Sequence, residues 1–245
     1  MSPTIITSLF FVTSFIYICS WCFFNIPIFH LLKVVPVLLL YIAQPTNFCL
    51  FLAMLGDVCL MHPEAFPSLH IPQLYKDNFF NLGLIVFGIF QCSLWYRFIE
   101  VSSPFKFPFY RTDQMTSFTT PLKISLSSSF QRLKYRILTF HKLIKLYLLV
   151  ISFGTTVWLK PSELHVAIGV FLYTSVLLHS TRVSILISLL VKNKKTALQS
   201  LGMILFCISD FVLAYNRFKA PVNFECWFVI STYWFAMFLL FTTKF

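Results

Sequence analysis

The chain has 245 residues, of which 58% are hydrophobic and only 11% charged, with 31 Phe and a mean hydropathy of +0.81. Ordinary soluble domains carry about 25% charged residues, so a water-soluble globule is excluded, and so apolar a chain is not a disordered one. The net charge of +11 (19 minus 8) sits in this apolar background, and no nucleic-acid partner is expected.

A hydrocarbon core about 30 Å thick takes roughly 20 apolar residues per helix, so the length accommodates about eight spans. The first apolar run, 4–24, has no basic start and no small-residue cleavage site, and reads as a retained span. It contains Cys19 and Cys22, which have redox-motif spacing but lie in an apolar helix without the strand-and-helix context of such motifs. All seven cysteines read as small buried hydrophobes, an odd number arguing against a disulfide framework.

The second run, 26–43, contains Lys33 and Pro36, and Gln44, Pro45 and Thr46 join it to the third, 47–61. The third ends near His62 and Pro63, in keeping with the exclusion of Pro from helix interiors. A fourth run covers 79–99. The long basic connection 100–140 follows and ends in Gln131 to Arg136, either a short basic helix on anionic headgroups or a solvated loop. Further runs at 141–159, 164–191, 197–216 and 227–243 bring the expected total to eight transmembrane helices in one all-α domain, 1–245.

Twelve of the 19 Lys and Arg fall on the face that would hold both termini and four on the other, with Lys33, Lys145 and Arg182 inside runs. The positive-inside rule then places both termini in the cytosol, an assignment that needs an even helix count.

Two acids stand out. Glu64, Asp77, Glu100, Asp113, Glu163 and Glu225 fall in connections or at run ends, whereas Asp57 and Asp210 lie inside apolar runs. A carboxylate at such depth costs at least ~2.5 kcal/mol, so each is a functional candidate, the bland alternative being a buried polar pair that links helices. Both sit in the pattern small residue, Asp, then Leu three positions on (Gly56, Asp57, Leu60; Ser209, Asp210, Leu213), four helices apart, as corresponding pieces of a duplication would. At 1.5 Å per residue they lie about 15 and 20 Å from the cytosolic ends of their runs, at the midplane or slightly beyond. Lys33, Ser231, Thr232 and Tyr233 fall in the same depth band.

Arg217, seven positions after Asp210 and beside Asn216, lies on the same helical face nearer the far surface. It either binds a phosphate or snorkels to headgroups, and Lys33 has the same two readings. Pro36 would loosen the ladder near Lys33. His179 and Arg182, one turn apart, either join this cluster or mark the cytosolic end of their helix.

The stretch Ser209, Asp210, Leu213, Ala214, Asn216, Arg217, Phe218, followed by Pro221 and by Ser231, Thr232 and Tyr233, resembles the signatures of the YhhN-like lysoplasmalogenase family. Lys33 with Pro36, and Gly56 with Asp57 and Leu60, are similar to the family's earlier motifs in the same order. The chain departs from the pattern at Gln91 or Phe90, where many members have His, at Trp234 for a second Tyr, and at Met237 for Gln.

The resemblance implies an eight-helix membrane enzyme that hydrolyses the vinyl-ether bond of lysoplasmalogens, releasing a fatty aldehyde and a glycerophospho-choline or -ethanolamine. It also implies an endoplasmic-reticulum location. The two acids suit that chemistry. Protonation of the vinyl β-carbon gives an oxocarbenium ion, water captures it, and the hemiacetal collapses, which takes a proton donor and then a base. Two carboxyls in a low-dielectric site do not easily both ionise, so one is expected to hold a proton while the other carries charge. Asp57 and Asp210 are therefore the catalytic candidates. Lys33, Asn216, Arg217, Ser231, Thr232 and Tyr233 are the candidates for binding the lysophospholipid, and no metal or other cofactor is required.

The departures leave an altered activity open. Two other classes compete: a proton-coupled transporter built on two parallel repeats, which the low count of 6 Gly disfavours, and a seven-helix receptor, whose Asp-Arg-Tyr and Asn-Pro-x-x-Tyr signatures are absent.

Overall fold

In the computed structural model the described residues are 3–20, 33–65, 73–102, 128–191, 193–222 and 225–241. They form an all-α fold of eight helices: α1 (Pro3–Cys19), α2 (Val35–Ala43), α3 (Phe48–Ala65), α4 (Gln73–Ser102), α5 (Ser128–Leu159), α6 (Leu164–Val191), α7 (Lys194–Phe218) and α8 (Glu225–Phe241).

Among the described residues, three helical stretches are long and apolar enough to cross a membrane: Phe79–Phe98, Leu164–Leu189 and Lys194–Phe218. Thr4–Cys19, Phe48–Leu60, Ile144–Leu159 and Trp227–Phe241 are shorter apolar helices. This is the make-up of a multi-pass membrane protein.

Helix ends differ from the apolar runs where polar sequence continues to favour a helix. No Pro or Gly interrupts the chain between Leu122 and Phe153, so α5 starts at Ser128 and not near 141. Gln131 to Arg136 thus belongs to a 32-residue helix, neither a separate surface helix nor a loop. Likewise α4 starts at Gln73, directly after Pro72, six residues before its apolar part. The run 26–43 is helical from Val35 after a 3-10 turn at Lys33 and Val34, while 21–32 lies outside the described residues, as does 103–127 of the long connection. With nine residues, α2 rises only about 14 Å, less than the hydrocarbon thickness.

Local chemistry sets the turns. Lys160 takes a left-handed conformation at φ 52° and its N–H donates to Thr156 O at 3.1 Å, which closes α5 just before Pro161. Asn193 caps α7, its Oδ1 accepting from Lys195 N at 3.1 Å. Gln44 Nε2 donates to Phe241 O at 2.7 Å and so ties the α2–α3 turn to the end of α8.

Helices α1, α2, α3, α4, α6, α7 and α8 pack each on the next in a ring, α8 returning to α1 and α2, while α5 lies outside against α6 and touches α7. Phe10 packs on Phe238 and Tyr17 on Trp234, with ring centroids 5.6 and 5.2 Å apart, so α1 starts and α8 ends at one end of the bundle. That end is densely filled: Leu40, Leu50, Phe90, Met203, Phe206 and Phe241 are all fully buried. Gly202 permits the α7–α8 contact there, since a Cβ on it would lie 3.0 Å from Ala236 O.

Candidate functional site

The opposite half of the bundle is hollow. A cavity of about 610 Å³ opens between α3, α4, α6, α7 and α8 and reaches the last turns of α5 at Ile151, Thr155 and Leu159. Most of its wall is apolar, from residues such as Leu60, Leu84, Phe87, Val170, Leu177 and Ile230, and its polar groups are mainly charged or hydroxylic, with the amide of Asn216 among them. That is the composition expected of a small-molecule site, whose volumes run from about 300 to 1,000 Å³.

Both intramembrane acids line this cavity. Asp57, in the middle of α3, is 2% exposed, and its Oδ2 accepts from Tyr233 Oη of α8 at 2.7 Å. Asp210 of α7 accepts through Oδ2 from Tyr173 Oη of α6. The two carboxyls lie within Coulomb reach of each other. Each is thus held by a phenol donated from a different helix, and four helices converge on the pair. A hydrogen bond is worth about 0.5 to 1.5 kcal/mol to a neutral acceptor and about 1.5 to 3 kcal/mol to a charged one, enough in either state to favour one direction for each carboxyl.

The surrounding packing steadies the pair. Phe87 lies edge-on to Tyr233 with centroids 6.2 Å apart, and Phe206 packs on Tyr233 at 5.6 Å. Gly56, next to Asp57, makes room for Phe87, because a Cβ there would come within 2.7 Å of its ring. Ser209, next to Asp210, donates its hydroxyl to Val229 O at 2.8 Å and locks α7 to α8 at the depth of the acids.

The other expected site residues divide. Lys33 lines the cavity and lies within Coulomb reach of Asp57. Asn216 and Arg217 line it too; Asn216 Oδ1 accepts from Val222 N at 2.9 Å, and the Arg217 guanidinium stacks on Phe80 at 5.3 Å. Tyr233 belongs to the acid pair itself. Ser231 and Thr232 are not part of the cavity wall. Their hydroxyls turn back to Phe228 O on their own helix at 3.2 and 2.7 Å, the usual fate of Ser and Thr in apolar helices. His179 packs edge-on against Trp95 with centroids 5.2 Å apart, and neither it nor Arg182 lines the cavity.

Tyr173 escaped the sequence reading. A single Tyr in an apolar helix carries no spacing signal, and its partner lies 37 residues away. Gln91 of α4 is fully buried, with its side chain beside Tyr173. Met237 and Trp234 are buried core residues, Trp234 packing on Tyr17.

No curated protein and no solved structure matches the chain. A model of the YhhN family matches residues 124–243, a span that takes in α5 through α8 and with them Tyr173, Asp210, Asn216, Arg217 and Tyr233. Lys33 and Asp57 lie before it, and are brought to the same cavity by the fold. Residues 124–243 of this chain belong to the YhhN family.

Proposed function

We propose that the protein is a lysoplasmalogenase of the endoplasmic reticulum with both termini in the cytosol. Its reaction is hydrolysis of the vinyl ether of an alkenyl-glycerophosphocholine or -ethanolamine. The observation that carries this reading is the pair Asp57 and Asp210, each fixed by a tyrosine and both facing one apolar cavity. The YhhN family includes lysoplasmalogenases, and the pair has the composition that vinyl-ether hydrolysis needs.

One carboxyl delivers its proton to the β-carbon of the vinyl ether, and the oxygen-bearing carbon becomes an oxocarbenium centre. The second, ionised carboxyl stabilises that charge and takes a proton from the attacking water. The resulting hemiacetal breaks its bond to the glycerol oxygen, which leaves protonated as the glycerophospho product, while the chain departs as aldehyde. One water is consumed and both carboxyls return to their starting states. Phe87, Leu177 and Ile230 surround the reacting carbons with apolar surface, and Lys33 and Arg217 supply positive charge for the phosphate.

Aldehyde release from a synthetic lysoplasmalogen by the detergent-purified protein tests this directly. Turnover is expected from the natural chain. A folded protein that releases no aldehyde, but accumulates a solute in vesicles under a proton gradient, would replace the hydrolase with the transporter reading.

A further inference from the structure

We infer that the cavity takes its ligand from one leaflet only, the leaflet at the end of the bundle where α5 meets α6 and α7 meets α8. The occupant is a lysophospholipid with its phosphate toward that end. Its chemical class rests on the function proposed above, whereas the side of entry follows from the placement of the cavity.

Successive helices contribute opposite halves of themselves to the wall. From α4, α6 and α8 come residues of the first half: Phe80, Leu84 and Phe87; Val170, Tyr173, Thr174, Leu177 and Leu178; and Val229, Ile230 and Tyr233. From α5 and α7 come residues of the last: Ile151 to Leu159, and Cys207 to Phe218. In helices that alternate in direction this places the whole hollow at one end. Beyond Phe87 and Cys207 toward the other end the interior closes, among the described residues, on Phe90, Met203, Phe206 and Phe241, each fully buried, so the acids lie at the floor of the cavity against a filled core.

Charge is arranged along the same direction. Arg217 lies in the last turn of α7, seven residues and about 10 Å beyond Asp210, and it is exposed at that end. Its guanidinium is steadied by the Phe80 ring. A phosphate held there leaves the chain and the vinyl ether to extend inward along the apolar wall to the acids, in the orientation a lysolipid already has in its own leaflet. Entry from the opposite leaflet would require the charged head to pass the Phe90–Phe206–Phe241 plug. With α1 starting and α8 ending at the plugged end, the loading leaflet is the one away from both, which is the luminal leaflet in the topology proposed above.

The test uses the full chain carrying an epitope tag on its first residue, reconstituted into phosphatidylcholine vesicles at no more than one copy per vesicle. Anti-tag resin separates vesicles with the tag outside from those with it inside. A photoreactive lysophosphatidylcholine is then added from outside. Crosslinking is expected only in vesicles with the tag inside, at peptides covering Ile151 to Phe218, and detergent should abolish the difference. Equal crosslinking of both populations, or none even in detergent, would overturn the inference. Aldehyde release in detergent is measured in parallel, so that sided crosslinking without aldehyde would retire the reaction while leaving the side of entry standing.

Discussion

Asp57 and Asp210 are conspicuous because a carboxyl inside an apolar helix is costly, and the fold shows where the cost is offset: each accepts a phenol hydrogen bond at the wall of one cavity. Asn retains the shape of each side chain but cannot transfer the proton. Asp57→Asn and Asp210→Asn are therefore each expected to lower aldehyde release about 100-fold to 10,000-fold, the range of general acid-base catalysis, with the unfolding temperature in detergent little changed. Near-normal rates in either variant would remove the pair as the catalytic machinery. Tyr173 acts through Asp210, so Tyr173→Phe should reduce kcat about tenfold, the equivalent of roughly 1.4 kcal/mol, and leave KM nearly unaltered. A rise in KM at constant kcat would make Tyr173 a wall residue only. Ser231 and Thr232, whose hydroxyls are engaged by their own helix, should tolerate Ala without loss of turnover in the same assay.

At the scale of elements, the acids are positioned by two close helix contacts. Gly56 admits Phe87 between α3 and α4, and Gly202 admits the α8 backbone against α7. At Gly202 the nearest atom is a carbonyl oxygen, which cannot rotate away as a side chain could. Gly202→Ala should thus separate α7 from α8 and destabilise by about 1 to 3 kcal/mol, read as a lower unfolding temperature in detergent. Gly202 lies in the filled half, so turnover of the remaining folded protein at low temperature should persist. The apolar runs announced the elements well and their ends poorly. Hydropathy reports which part of a helix meets lipid or core, while the backbone ladder continues until Pro, Gly or a cap stops it, as in α4 and α5.

For the whole molecule, the ring of seven helices with α5 outside accounts for the position of the cavity, which reaches α5 through the α6–α7 side of the ring. It also brings the start of α1 and the end of α8 together at the plugged end. Epitope tags on the first and last residues should accordingly be reached from the same side of the membrane, and both from the cytosol after selective permeabilisation of the plasma membrane. Tags reached from opposite sides would rule out the even helix count, and two luminal tags would invert the orientation and with it the leaflet that loads the site.

Composition pointed to a membrane protein, because so few charges leave no way to cover a water-facing surface, and the length and spacing of the apolar runs pointed to helices. The improbable depth of two carboxyls likewise singled out Asp57 and Asp210, since that improbability is a local property of each run. Only the tertiary structure decided which partners the acids have, that Tyr173 belongs with them while Ser231 and Thr232 do not, and that the cavity occupies one end of the bundle. Those facts depend on contacts between helices far apart in the chain, and helical periodicity carries no record of which neighbour a given face will meet.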